Sequence, residues 1–339
     1  MGPTIHDVAK LANTSKSTVS RFLNGRKVKK TTEEALEKAI RELNYHRNAN
    51  ARRLVTDKTN TIAVVIDDLS NIFYSGIIRG IESVMASNGF RCIFLSSTSS
   101  AAESERSFLN LLYEGQADGL ILASFRKRDP ADVEAFRASP YPVALIGDYG
   151  EADGLLAVDV DNAAGVADVV RHLYDLGHRA IAYITGRESM GASRYRYKGY
   201  RRSLEALGLP FRAEWVVEAD WTNRGGYEAM RRLLRYPEIT AVAASSDETA
   251  IGALRAVHES GKRVPHELSI VGFDDISIAS WVYPPLTTVR QPFRDIGALA
   301  AEGLLRRIEG AGEPPRARLL KPALVVRDSS GAPAAARNG

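Results

Sequence analysis

The apolar pattern of this chain changes period at Thr61, and that change separates two structural regimes. Before it, apolar residues recur at helical spacing in short stretches. Ile5, Val8, Ala9 and Ala12 stand at i, i+3, i+4 and i+7, the stripe of a first helix. Thr4 is placed to cap that helix, with Asp7 to answer it. Asn13-Thr14-Ser15 then breaks the chain with side chains suited to turns and caps. Ser15 opens a second helix, Lys16–Asn24, which Gly25 stops. A third helix is predicted from Thr31, with Glu34 completing a capping box and Leu36, Ala39, Ile40 and Leu43 as its stripe. After Thr61, short β-rich runs alternate with amphipathic stretches: "TIAVVI", "FRCIFLSS", "ADGLILAS" and "PVALIG" first, then "AIAYIT", "AVAAS" and "LSIVGFD". Strand-helix alternation demands parallel sheets covered on both faces, and two series of it predict two lobes.

Charge divides the chain at the same place. Residues 1–60 hold seven Lys and six Arg against two Asp and four Glu, a net +7, whereas the remainder carries −3. A basic head on an acidic body points to a polyanionic partner for the head. Its second helix has two chemically distinct faces: Val19, Phe22 and Leu23 on one, Ser17 and Arg21 on the other, with Lys16 at the N-terminal end. One face can pack on a neighbour while the other offers donors to base edges in a major groove. The stretch "HRNANARRLVTDKTN" (46–60) is basic and polar around a single bulky apolar pair, Leu54-Val55. That pair fits packing on the body, and it also fits a wedge pushed between base pairs in a minor groove.

Other classes are constrained too. A single cysteine, Cys92, excludes an internal disulfide and a multi-Cys zinc site, and its apolar run reads as a buried thiol. No apolar run approaches the ~18 residues of a membrane span, and Met1–Lys10 lacks a signal-peptide core, so a cytoplasmic location is expected. Neither a nucleophile elbow, a P-loop, a G-x-G-x-x-G after a strand nor an H-E-x-x-H is present, and the six histidines are scattered. The chain reads as a non-enzyme with no cofactor and no metal.

In open α/β sheets, ligands sit beyond the carboxyl ends of the strands. The residues found there are Asp67, Asp68, Ser70, Asn71, Phe73 and Tyr74 after the first strand, then Gly186, Arg196, Asp247, Asp274 and Asp275 in the second series, with Trp221 in "EADWT" and Gln291 at a crossing between lobes. Carboxylates and a guanidinium make paired hydrogen bonds to neighbouring hydroxyls, and aromatic rings stack on a sugar's C–H face. By position alone these carboxylates read equally as loop caps.

The head sequence "TIHDVAKLANTSKSTVSRFLNG…LNYHRNANARRL" resembles that of the lac repressor (LacI/GalR) family of regulators. In the body, "LGHRAIAYITG", "SSDETAIGAL", "LSIVGFDDI" and "PPLTTVRQP" resemble the family's effector-binding core, itself similar to periplasmic sugar-binding proteins. The resemblance implies an N-terminal all-α helix-turn-helix head plus an α/β two-lobed core with parallel sheets. The domains are then a head over 1–46, a hinge helix or linker over 47–60, one lobe over 61–162 with 291–320, a second over 163–290 with 321–330, and a disordered tail over 331–339. It implies DNA contacts from Lys16, Ser17, Thr18, Arg21, Asn24, Tyr45, Asn48, Ala51 and Arg52, with Leu54 as the wedge. Phe73, Arg196, Trp221, Asp247, Asp274 and Gln291 would line the effector cleft. The implied partners are a near-palindromic operator in double-stranded DNA, a second copy of the chain as homodimer, and a sugar or sugar-acid effector that relieves repression. A non-sugar ligand or a protein partner on the same fold is the competing reading.

Two departures stand in the head: Asn13-Thr14 replaces the family's Gly-Val turn, and Arg47 replaces the proline before the hinge Asn. In the body, Met190 and Ala192 occupy places where the purine-binding member has an Arg and a Thr, which disfavours a purine. Arg126-Lys127-Arg128 borders the cleft in this reading and would favour a sugar acid if turned inward.

Overall fold

Thr4 and Asp7 form the expected reciprocal cap. The Asp7 carboxylate accepts from the Thr4 N–H at 2.8 Å, and the Thr4 hydroxyl accepts from the Asp7 N–H. They open α1 (Ile5–Leu11), which is followed by α2 (Lys16–Leu23) and α3 (Lys30–Glu42). The computed structural model describes residues 3–23, 25–46, 58–97, 105–125, 129–147, 154–311 and 317–333. Asn24, Asn48, Ala51, Arg52, Leu54 and Arg126-Lys127-Arg128 lie outside them. The chain forms two compact units, Met1–Thr59 and Asn60–Gly339.

In the first unit Val8, Ala9, Val19, Leu36 and Ala39 are buried together, with Phe22, Leu23, Ile40 and Tyr45 packed around them. Asn13 takes φ 49° between α1 and α2. This left-handed conformation is open to asparagine at small cost, so Asn13 makes the turn without the family's glycine. The capping box expected at Thr31 and Glu34 is not formed. The helix starts earlier, with the Thr32 and Glu33 N–H groups already donating to the Lys29 carbonyl at 2.9 Å, so Thr31 lies inside the first turn.

The second unit is built on two parallel sheets. The first lobe contains β1 (Thr61–Ile66), α4 (Ser75–Ser87), β2 (Arg91–Ser96), α5 (Asn110–Tyr113), β3 (Gly119–Ala123), α6 (Pro130–Ala138), β4 (Val143–Ile146) and β5 (Leu156–Val160). The chain then enters α7 (Asn162–Asp175), β6 (Ile181–Thr185), α8 (Gly191–Ala206), β7 (Val216–Glu218), α9 (Asn223–Leu233), β8 (Ala241–Ala244), α10 (Asp247–Glu259) and β9 (Ser269–Val271). It returns through β10 (Thr288–Arg290) to α11 (Phe293–Ile308) and β11 (Arg318–Leu320), and crosses again into β12 (Ala323–Val325). The strand orders are β11-β5-β4-β3-β1-β2 and β7-β6-β8-β9. β10 and β12 pair antiparallel with each other, so β11 and β12, separated only by Lys321 and Pro322, serve different sheets.

Strands β1, β3, β4 and β5 are buried along their whole length, as expected when helices cover both faces. β2 is the sheet edge and alternates in exposure, which leaves Cys92 only half-buried. Burial still pushes its thiol up to about 11, far from the thiolate that would react. Gly331, placed in a disordered tail by composition, is hydrogen-bonded to the second lobe. The Gly331 carbonyl accepts from His178 Nε2 at 2.9 Å and from Ser269 Oγ at 3.0 Å, and its N–H donates to Ser269 Oγ. These bonds hold Gly331 on the second lobe, which composition could not show.

Candidate functional site

Helix α2 owes its orientation to its N-cap. Ser15 Oγ accepts from the Thr18 N–H at 3.2 Å and lies within hydrogen-bond distance of the Ser17 and Thr18 hydroxyls. Val19 is wholly buried, which fixes the rotation of the helix. Lys16, Ser17 and Arg21 are therefore exposed on one face. Thr18 is half-buried and tied to Ser15, and Tyr45 packs on the three-helix core. Of the sequence-selected DNA residues described, Lys16, Ser17 and Arg21 project outward, while Thr18 and Tyr45 shape the element that carries them.

In the second unit a cavity of about 120 Å³ lies where the ends of the two sheets face each other. It is lined by Asp67, Asp68, Asn71, Phe73, Tyr74 and Phe125 from the first lobe and by Met190, Arg196, Trp221, Ser246, Glu248 and Asp274 from the second. The lobes meet around it: the Gly191 N–H donates to the Phe125 carbonyl at 2.9 Å, and Ala192, Met190 and Trp221 pack into the first lobe's core.

Each wall has an identifiable support. Asn71 caps the turn that carries Phe73, accepting from the Phe73 N–H at 2.9 Å. The Phe73 ring meets Tyr74, Phe125 and Phe293 edge to face, with centroids 5.2, 5.1 and 4.6 Å away. Asp67 accepts from the Tyr74 hydroxyl at 3.0 Å and from the Phe125 N–H at 3.2 Å. Opposite them, Trp221 Nε1 donates to Ser245 Oγ at 3.1 Å. Gly186 makes room for that indole, since a Cβ there would lie 2.0 Å from Trp221 Nε1.

Arg196, on α8, is 2% exposed. Its Nε donates to Asn162 Oδ1 at 2.7 Å and its Nη1 to the Ser245 carbonyl, with Asp274 Oδ1 3.4 Å away. Its guanidinium lies 3.8 Å from the Phe273 ring centroid. Asp274 also accepts from Gln291 Nε2 at 2.7 Å. Burial raises the Asp274 carboxyl even against the pull of the guanidinium. Asn162 and Gln291 both belong to segments passing between lobes, so the Arg196–Asp274 pair is wired to the crossings themselves. Trp221, Asp274 and Asp275 take φ of 61°, 127° and 55°, and such strain in non-glycine residues concentrates where function demands it.

The sequence placed six residues in this cleft. Phe73, Arg196, Trp221 and Asp274 line it. Asp247 does not. It is the first residue of α10, wholly buried, and its carboxylate accepts from Thr288 Oγ1 and the Ile276 N–H. Burial pushes its pKa up, with Asp274 adding to the rise. Gln291 stands behind Asp274 rather than at the cavity wall. Phe125, Ser246 and Glu248 were not singled out from sequence. Ser246 and Glu248 flank Asp247, and one residue's rotation about a helix start exchanges inward for outward.

Residues 4–48 match the lacI family of bacterial regulatory proteins, and residues 170–330 match a periplasmic binding protein-like domain. Catabolite control protein A of Priestia megaterium is 38% identical over 304 residues, 88% of this chain and 91% of that protein. Among solved structures, the lac repressor dimer bound to operator and the anti-inducer ONPF aligns with a TM-score of 0.89 at 29% identity, covering 98% of this chain and 100% of that one. The transcriptional regulator CelR in complex with cellobiose aligns with a TM-score of 0.73 at 34% identity, covering 97% and 100%. No helix among the described residues is long and apolar enough to cross a membrane. With a helix-turn-helix head, a two-lobed core and relatives that share both along nearly their whole length, this chain belongs to the LacI family of bacterial regulatory proteins.

Proposed function

We propose that the protein is a cytoplasmic, sequence-specific transcriptional repressor that binds a near-palindromic operator as a homodimer and is released by a sugar-class effector held between its lobes. The observation that carries the reading is the cavity: a buried Arg–Asp pair and aromatic walls, closed by two lobes whose crossing segments touch the pair. Donors and acceptors at fixed positions suit a polyol, and Phe73 and Trp221 supply flat apolar faces for a ring. The CelR neighbour holds cellobiose and the lac repressor neighbour is a dimer on operator, which supports both halves of the proposal. The exposed Lys16, Ser17 and Arg21 are the residues we assign to the major groove. A ligand that prefers one lobe arrangement shifts the equilibrium between arrangements, and the crossings at Asn162 and Gln291 carry that shift. Calorimetry with a panel of neutral sugars and sugar acids tests the effector half. Binding that is lost in Trp221→Ala is expected, and no binding by any member refutes a sugar-class effector.

A further inference from the structure

Among the described residues, the charged side chains that line the cavity do not balance. Asp67, Asp68, Asp274 and Glu248 face it, and among the described residues Arg196 is the one cation that does. Three of the four carboxylates have donors of their own. Asp67 has the Tyr74 hydroxyl and the Phe125 N–H. Asp68 has the N–H and hydroxyl of Ser70 at 2.8 and 2.7 Å. Asp274 has Arg196 and Gln291. Glu248 differs: among the described residues no side chain or backbone group hydrogen-bonds or ion-pairs with it, although it is only half exposed and lines the cavity. Burial raises its pKa, and its charge in turn raises that of Asp274.

Glu248 is the second residue of α10, next to the wholly buried Asp247. A helix N-terminus ordinarily welcomes an anion, but here two carboxylates of the helix's own first turn already occupy that field. An acidic ligand would have to enter among like charges at low local dielectric, where repulsion is strong. A ligand rich in O–H or N–H donors would instead supply the partners that Glu248 lacks, at charge-assisted strength.

Building on the sugar-effector reading, we propose that Glu248 is a specificity-determining residue of the effector cavity: it accepts hydrogen bonds from the ligand's hydroxyl or amine groups and excludes sugar acids. The effector class is thereby narrowed to uncharged or amine-bearing polyols. Ser246, which caps α10 by accepting from the Thr249 N–H at 3.2 Å, holds the helix start that aims Glu248.

The test compares ligands that differ only in charge: glucose, glucosamine and glucuronate, with the corresponding galactose series, titrated by calorimetry into the full-length protein and into Glu248→Gln. The best-bound uncharged or amino sugar is expected to bind at least tenfold tighter than its uronate. Glu248→Gln, which keeps shape and one acceptor while removing the charge, is expected to bring that ratio to within about threefold, with the amine-bearing member losing most affinity. Glu248→Asp, which retains the charge, is expected to keep the discrimination, so a merely structural role is distinguished. Uronate binding as tight as that of the neutral sugar, or a ratio unchanged in Glu248→Gln, overturns the proposal and leaves the sugar-effector reading standing. Silence of every member overturns both.

Discussion

Replacing Arg196 by methionine removes the guanidinium and keeps most of the apolar stem. Asp274 then stays buried with Gln291 as its hydrogen-bond donor. Breaking a buried pair from one side costs about 3–5 kcal/mol. The stranded carboxylate can escape part of that by taking up a proton. Starting from its ordinary value of 3.8, protonation costs about 4.4 kcal/mol at pH 7 and about 1.6 kcal/mol at pH 5, at 1.36 kcal/mol per unit. The penalty therefore has a ceiling that falls with pH. The sign follows from a folded-state pKa raised above the unfolded value: the destabilisation is present above the folded pKa and is relieved as pH falls through it. Asp274 is already raised to about 6 beside the guanidinium, so the parent itself carries about 3 kcal/mol of that ceiling at pH 7. Urea unfolding of Arg196→Met against the parent is expected to show a deficit of about 3 kcal/mol at pH 7 that shrinks by about 1 kcal/mol at pH 5. A remainder of about 1–3 kcal/mol, from the acceptors Asn162 and Ser245 left without their donor, should not depend on pH. The double variant Arg196→Met/Asp274→Asn is expected to recover most of the pH-dependent part. A deficit that does not change with pH, or a double variant as unstable as the sum of the singles, refutes the reasoning.

Arg21→Ala is expected to weaken specific operator binding by about 1–3 kcal/mol while leaving binding to random DNA nearly unchanged, because a base-edge contact is lost; equal loss on both DNAs would reassign Arg21 to phosphate. Gly186→Ala forces the Trp221 indole from its place, so it is expected to abolish effector binding and shift tryptophan fluorescence while operator binding persists. Retained effector affinity would show that Trp221 is not a wall of the site. His178 is held neutral: its Nε2 donates to the Gly331 carbonyl, its Nδ1 accepts from Thr240 Oγ1, and burial lowers its pKa below 6.5. The unfolded chain therefore takes up a proton that the folded chain resists, and stability contributed here falls as pH drops below about 6.5. Relative to the parent, His178→Gln should lose less stability between pH 7.5 and 5.5, and parallel pH profiles would contradict this.

The sequence made the head legible because capping chemistry is local. Thr4, Asp7 and Ser15 act within three residues, and the buried Val19 follows from simple periodicity. The third helix was legible in its stripe but not in its start, because the chain already turns at Lys29 and leaves Thr31 inside the first turn. In the core, strand-end reasoning selected Phe73, Arg196, Trp221 and Asp274, and all four line the cavity. It misassigned Asp247 and overlooked Glu248, because composition cannot say which of two adjacent acids a helix start turns inward. Phe125 was missed for another reason: its role comes from packing across the lobes, against Phe73 and Gly191, and nothing local announces it. Asn13 shows the converse, a departure from the family pattern that the left-handed turn absorbs.

In the proposed mechanism, occupancy of the interlobe cavity and operator binding oppose each other. The direct measurement is operator affinity by fluorescence anisotropy with and without the neutral sugar that calorimetry shows to bind, paired with that sugar's affinity for free and operator-bound protein. Because coupling between two sites is reciprocal, both affinities should fall by the same factor, about 5–150-fold for a coupling of 1–3 kcal/mol. Operator affinity unchanged at saturating sugar would contradict the account.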